Sequence, residues 1–406
     1  MLPSFGGSIL KTLPLSSRAP FAALVNLQPY SRARAHAVET AFSDDLSRQV
    51  FGLLGVPVDA INFPQLLHLI EAKAPGEAGF LISTPNVNFM VKSQDNGAFR
   101  ESLLRSSLCL VDGMPLIWIA KLLDIPVTER IAGADLFGRL KSSISSRRPL
   151  RVFLVGGSEG VADKVGEMIN ASACGLRCVG ALNPGFGSVP EISTPAVIDT
   201  INAAKPDIVA VFFAAEKAQA WLMHNADRLR APIRAQFGAT INFEAGLVKR
   251  APRPIRSSGF EWLWRIKEEP YLWRRYANDG RVLLRLFLTS VLPLMLDRLR
   301  KRAGDIGLGS VLQDGSGHVT LHLAGDAVVD HVEGAIAQFR KALAYDKPVI
   351  IDMSKVRHVD SRFFGALLML RKTLVDRGDQ LAFTGISPAI RRLFKLNRFA
   401  YLLPQG

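Results

Sequence analysis

The sequence predicts an α/β protein, a mostly parallel, doubly wound sheet followed by a smaller α/β unit, on three observations. Short β-rich runs alternate with helix-length amphipathic segments from Leu46 to about Arg250. Several of those runs are continuously apolar, as strands covered on both faces are. A glycine-rich break at Gly304–Gly309 then precedes a second strand–helix series of roughly a hundred residues.

The elements follow in order. Residues 1–45 form a basic arm. Its first 38 residues contain no acid, are rich in Ser, Pro and Arg, and lack the apolar core of a secretory signal. The composition fits either an organellar transit peptide or a disordered arm. Residues 79–84, 107–113, 151–157, 176–181, 207–215 and 233–239 read as strands, with helices such as 160–171 and 217–230 between them; together these make a domain over 46–252. In such sheets ligands sit at the carboxyl ends of strands. A basic and aromatic appendage spans 253–303. The last unit, 304–406, reads as strand 318–325, amphipathic segment 327–343, buried strand 348–354, helix 361–376 and strand 380–385.

Composition removes whole classes. With 48% hydrophobic and 21% charged residues the chain is not disordered overall. Three scattered cysteines (Cys109, Cys174, Cys178) make neither a disulfide framework nor a zinc site. The net charge is +14, and residues 251–302 hold twelve Lys/Arg against five acids, half of that excess. So dense a segment binds something anionic: nucleic acid, a phospholipid surface or substrate phosphates. Its apolar stretch, Leu286 to Leu296, is too short to cross about 30 Å of hydrocarbon. An interfacial helix fits it, with arginines at the headgroups; a core helix packed on the sheet is the other reading. Nucleic acid is disfavoured, because the arginines lie beside an apolar helix rather than across a stacking sheet.

Candidate chemistry gathers at strand ends. Thr84-Pro85-Asn86 follows the first main strand, and Val111-Asp112-Gly113 ends the next. Asp112 is placed to act as a general base or simply to cap a turn. Gly156-Gly157, and Gly185 in Asn183-Pro-Gly-Phe-Gly, have the mechanics of phosphate cradles, although any tight turn favours glycine. Arg130 and Arg250 carry the planar fork that suits a diphosphate, or a surface ion pair.

These elements in this order, with Glu129-Arg130-x-x-Gly-x-Asp-Leu, Arg250-Ala-Pro and Gly259-Phe-Glu-Trp-Leu-x-Arg-x-x-x-Glu-Pro, resemble the WecG/TagA/CpsF glycosyltransferases over about Leu53 to Tyr276. The resemblance implies a Rossmann-like fold and a metal-independent, inverting transferase without a cofactor. Such enzymes move N-acetylmannosamine, its uronic acid or glucose from a UDP-sugar to a polyprenyl-pyrophosphate-linked saccharide at the inner face of the cell membrane. Asp112 then matches the family's base, Thr84 and Asn86 its substrate contacts, and Arg265 and Arg275 two appendage arginines that complete the active site. The third falls at Leu272, with Arg274 nearby. The family's Gly-x-Pro-x-Gln-Glu is altered: Glu216 replaces the Pro and Ala218-Gln219 the Gln-Glu pair, leaving Gln219 as the amide available to a donor. No Asp-x-Asp metal motif is present, so arginines and helix N-termini are expected to steady the leaving group.

The last unit resembles a STAS domain through Val349–Ser361, read Val-Ile-Ile-Asp-Met-Ser-Lys-Val-Arg-His-Val-Asp-Ser. In that family the Ser after Asp can be phosphorylated. Ser361 holds the position, and is a modification site for a kinase or a plain helix cap. Phe363 and Phe364 are expected to offer a face to a protein partner. The reading from another class is a non-catalytic membrane scaffold that signals through this module.

Overall fold

A computed structural model describes residues 44–404 apart from 75–78, 144–147, 173–174 and 301–305. The arm over 1–43, Cys174 and the basic pair Lys301-Arg302 lie outside the described residues. The chain opens with a hairpin, β1 (Val50–Leu53) and β2 (Val56–Asp59), turned at Leu54-Gly55 with positive φ at both. Helix α1 (Phe63–Lys73) starts in a reciprocal capping box between Asn62 and Gln65. Strand β3 (Phe80–Ser83), helices α2 (Val87–Asp95) and α3 (Gly97–Leu104), strand β4 (Leu108–Cys109), and helices α4 (Met114–Leu122) and α5 (Gly133–Ser142) follow. Three strand–helix units come next: β5 (Leu150–Gly156) with α6 (Val161–Ser172), β6 (Leu176–Leu182) with α7 (Pro195–Ala203), and β7 (Ile208–Phe212) with α8 (Ala215–His224). Strand β8 (Ile233–Gln236) completes a six-stranded parallel sheet in the order β4-β3-β8-β7-β5-β6. Strand β7 is buried at every position, which is why its sequence runs apolar without alternation; β8 is buried throughout as well, although Arg234 and Gln236 alternate with Ile233 and Ala235.

Several expected elements change length; the strands expected over 207–215 and 233–239, for example, end at Phe212 and Gln236. The strand expected over 107–113 has ladder pairing only at Leu108–Cys109. Beyond it Leu110 N–H donates to Ser83 (2.8 Å) and Asp112 N–H to Pro85 (2.8 Å), but Pro85 has no N–H to return. The ladder stops there, and the chain lifts off the sheet at Asp112. The helix expected over 217–230 ends at His224, where the side chain of Asn225 turns inward to Ser193 Oγ (2.9 Å).

Short helices α9 (Thr240–Glu244), α10 (Arg253–Ser257) and α11 (Glu261–Glu268) lead to α12 (Trp273–Leu286), one π-helical turn (Phe287–Val291) and α13 (Leu292–Arg300). The apolar stretch here divides between its two readings. Leu286, Ser290 and Val291 are buried in the core, while Leu284, Leu288 and Leu296 are exposed.

The second unit has strands β9 (Gly309–Asp314), β10 (Val319–Ala327), β11 (Val349–Val359) and β12 (Leu381–Thr384), ordered β12-β11-β10-β9 with β9 antiparallel. Helices α14 (Val332–Leu343), α15 (Ser361–Asp376) and α16 (Pro388–Leu396) pack on it. Strand β11 runs five residues past its expected end, keeping pace with β10 through two register shifts. Phe363 and Phe364 are fully buried and so offer no face to a partner. Their core also contains Leu46, Val50 and Leu104 from the first unit.

A buried ion pair pins the opening hairpin to the sheet. Arg48 Nε and Nη2 reach Asp59 Oδ1 (3.1 Å) and Oδ2 (2.9 Å), both side chains being at most 3% exposed. Asp59 Oδ2 also accepts from the Cys109 N–H on β4 (2.7 Å). Removing one partner strands the other charge inside the protein. Asp59→Ala is therefore expected to cost about 3–5 kcal/mol in urea unfolding, and a loss below about 1 kcal/mol would contradict the pairing.

Candidate active site

A large cleft, about 1810 Å³, opens at the carboxyl ends of the central strands and is roofed on one side by α11 and α12. Ordinary small-molecule sites hold roughly 300–1,000 Å³. This one has room for two substrates side by side.

Asp112 stands in it, half-buried, one residue before Gly113 (φ +107), which starts α4. Burial raises its pKa to about 7. The carboxylates of Glu261 and Asp135 add to that rise, and the guanidinium groups of Arg130 and Arg250 work against it. A carboxyl titrating there is half-ionised near neutrality and can accept a proton and release it again. Thr84, at the end of β3, is buried in the cleft floor. Asn86 also lines the cleft, and its side-chain oxygen caps α2 by accepting from Phe89 N–H (3.2 Å). One residue thus shapes the wall and starts the helix behind it.

The arginines form a network. Arg130 donates to Glu261 (2.5 Å) and Asp135 (2.8 Å), and Arg250 and Arg256 each reach Asp135 Oδ1 at 2.8 Å. Three guanidinium groups therefore converge on two carboxylates. Counting Asp112 in its ionised form, the cleft wall is neutral as it stands. Arg256 Nε is buried without a hydrogen-bond acceptor, and Arg250 Nη2, though 2.8 Å from Asp135 Oδ1, does not meet it in hydrogen-bond geometry, so both guanidinium groups keep donor capacity for an anion. Further along, Arg265 lies over the Phe243 ring (4.8 Å) and pairs with Glu269, and Arg275 lies over Tyr276 (4.8 Å). Both line the cleft. Gly157 and Gly185 do as well, each with positive φ.

Three expected site residues lie elsewhere. Gln219 is fully buried behind the sheet, donating to Ser83 Oγ (2.6 Å), so it is a core amide and no part of the cleft. Its neighbour Ala218 is fully buried too. Gly156 lies beneath the wall, where a Cβ would meet the Phe213 ring at 2.7 Å; its role is close packing. Arg274 points away from the cleft and covers the exposed Trp273 (5.6 Å). Ser361 is the first residue of α15, half-buried, after Asp360, whose side chain caps the helix through Phe363 N–H (2.8 Å).

Sequence reasoning passed over Arg256, Asp135, Glu261 and Asp279. Arg256 was visible only as one count in a basic segment, because its partner is 121 positions away. Asp279 is a buried carboxylate on α12 that accepts from Asn88 Nδ2 (3.1 Å) on α2 and so ties the roof to the wall. Burial pushes its pKa up, against the opposing pull of Asn88 and Arg275. Among the described residues, no helix is long and apolar enough to cross a membrane.

The profile described as Glycosyl transferase WecG/TagA/CpsF family matches residues 51–295, and one described as Mlab, STAS domain matches 311–404. An N-acetylglucosaminyldiphosphoundecaprenol N-acetyl-beta-D-mannosaminyltransferase of Bacillus spizizenii is 25% identical over 211 residues, covering 52% of this chain and 80% of its own. Proteins of the same description from Bacillus subtilis (24% identical, 52% and 78% covered) and Staphylococcus aureus strain MW2 (22%, 56% and 86%) are also similar. With residues 51–295, more than half of its length, matched, the chain belongs to the WecG/TagA/CpsF glycosyltransferase family and carries a STAS domain after its transferase unit.

Proposed function

We propose that this glycosyltransferase moves an N-acetylmannosaminyl-type sugar from a UDP-sugar to a polyprenyl-diphosphate-linked saccharide, with inversion and without a metal. The observation that carries the reading is Asp112, with its pKa near 7, inside a two-substrate cleft beside three converging arginines. The relatives' names supply the sugar and the type of acceptor.

The chemistry follows from the charges. The acceptor hydroxyl gives its proton to the Asp112 carboxylate as its oxygen bonds to the anomeric carbon. The bond from that carbon to the donor phosphate breaks on the opposite face, which inverts the centre, and the electron pair leaves with UDP. Negative charge therefore grows on the departing diphosphate, where Arg130, Arg250 and Arg256 exchange their carboxylate partners for phosphate oxygens. Arg265 and Arg275, on the roof, suit the second diphosphate, the one on the lipid acceptor.

The cleft also favours this reading over a non-catalytic scaffold. The altered Ala218-Gln219 pair is core, and of the replaced positions only Glu216 lines the cleft, which still holds Asp112. A base must be ionised to accept a proton, so transfer is expected to rise with pH through about 7 and level off above. Asp112→Asn should lower transfer by on the order of 10²–10⁴ and abolish that pH limb, with UDP affinity kept. Transfer by the variant above roughly a tenth of normal would contradict the assignment.

The same segment fits a lipid surface at the inner face of the membrane. Phe260, Leu263, Trp273, Leu284 and Leu288 are exposed beside Arg274, Arg281 and Arg285. Leu284→Ser with Leu288→Ser should weaken binding to anionic phospholipid vesicles several-fold while leaving UDP binding alone. Unchanged vesicle binding would remove this part of the proposal.

A further inference from the structure

Helix α15 has nine consecutive buried residues, Arg362 to Leu370. A helix on the surface of a domain buries one stripe; one buried all round is covered from both sides. On one side lies the core of its own module, with Phe363 against Phe339 of α14 (ring centroids 6.1 Å). On the other lies hairpin strand β1 of the transferase unit. The approach is close enough to dictate residue type. A Cβ at Gly365 would sit 1.9 Å from the Val50 carbonyl oxygen, and one at Gly52 would sit 2.6 Å from the Phe399 ring. Glycine in mid-helix is disfavoured unless another chain segment needs the space. Here β1 needs it.

Strand β1 is accordingly a layer with two clients. Val50 faces the module core, whereas Phe51 and Leu53 belong to a second core with Phe89 and Met90 of α2, Phe99 and Leu103 of α3, and Leu286 and Val291 of the roof. Polar contacts repeat the link. Tyr401 Oη donates to the Gly55 carbonyl (3.2 Å), Arg398 Nε to Gln94 on α2 (2.8 Å), and Arg371 pairs with Glu101 on α3 (3.0 Å). A second route goes straight to the roof: Arg392 of α16 pairs with Asp297 of α13 (2.5 Å), and Leu294 packs on the module core. Helix α2 in turn presents Asn88 and Lys92 to the cleft, and Asn88 holds Asp279 of α12.

We infer that the STAS module is a built-in brace of the transferase cleft: its α15 and its last turn clamp the β1–β2 hairpin and thereby fix α2, α3 and the cationic roof α12–α13 over Asp112. The surface it presents to a partner is already occupied, and the occupant is the transferase unit of the same chain. Loosening the brace lets the roof drift from the acceptor side while the Arg130, Arg250 and Arg256 network assigned to the donor diphosphate stays formed.

Native-state hydrogen exchange of the full chain in sub-denaturing urea tests this without a variant. The brace predicts that residues 50–59, 87–104 and 361–376 lose protection together, at one urea concentration. Opening of 361–376 while 50–59 and 87–104 remain protected would overturn it. Gly365→Val, and Phe399→Ala in case that variant fails to fold, supply the functional arm. Each should raise exchange in 87–104 and 278–291 at least tenfold, and lower kcat/KM for the lipid-linked acceptor about tenfold through KM, with UDP affinity within twofold. Unchanged exchange and kinetics in a folded variant would overturn the inference. The kinetic arm rests on the transferase reading and the exchange arm does not: a wild-type protein that transfers nothing sinks that reading alone.

Discussion

The chemistry proposed for this protein depends on keeping one carboxyl group half out of water while surrounding it with charges that nearly cancel. Burial alone pushes Asp112 toward the neutral acid, and Arg130 and Arg250 pull it back toward the anion. Either influence alone would spoil a base: a fully desolvated aspartate stays protonated, and one facing uncompensated arginines gives up its basicity. Asp135 and Glu261 settle the balance by occupying the arginines. The fold supplies the position. Pro85 ends the β3–β4 ladder, the chain rises from the sheet, and Gly113 turns it into α4 with the carboxyl at the cleft floor.

The same network gives the cleft a simple switch of partners. At rest the guanidinium groups bind protein carboxylates; a diphosphate that enters competes for them with more charge and more acceptor oxygens. As arginines turn to the diphosphate, Asp135 and Glu261 lose cationic neighbours beside Asp112, which favours uptake of a proton there. In the proposed reaction, binding of the leaving group and basicity of Asp112 are thereby coupled through ion pairs, without any large movement. The neutral resting wall also explains how many arginines can line one cleft without repelling the roof that carries two more of them.

Much of this was legible in the sequence, for identifiable reasons. Strand–helix alternation and continuous apolar runs report burial directly, so both α/β units, and the strand ends that carry Thr84, Asn86 and Asp112, could be read. What failed was direction. Gln219 and Arg274 are the right residue types in the right segments, but one turns into the core behind Ser83 and the other onto Trp273. A helix rotates each successive side chain by about 100°, and the bearing of the helix on the sheet is set by tertiary packing. The arginine network was illegible because Arg256 and Asp135 are far apart in sequence. The run Phe363–Leu370 is apolar all round a helix; such a helix has two neighbours, which leaves Phe363 and Phe364 no face for a protein partner.

The central claim is a property of a single group and is open to direct titration. With carboxyl-13C aspartate incorporated, the resonance absent from Asp112→Asn protein identifies Asp112, and its shift can be followed from pH 4 to 9 in the ligand-free enzyme. The account predicts a midpoint near 7, displaced upward because burial disfavours the anion. A midpoint near the unperturbed aspartate value of about 3.9 would show a solvated carboxylate with too little basicity for its assigned part, and would contradict the account.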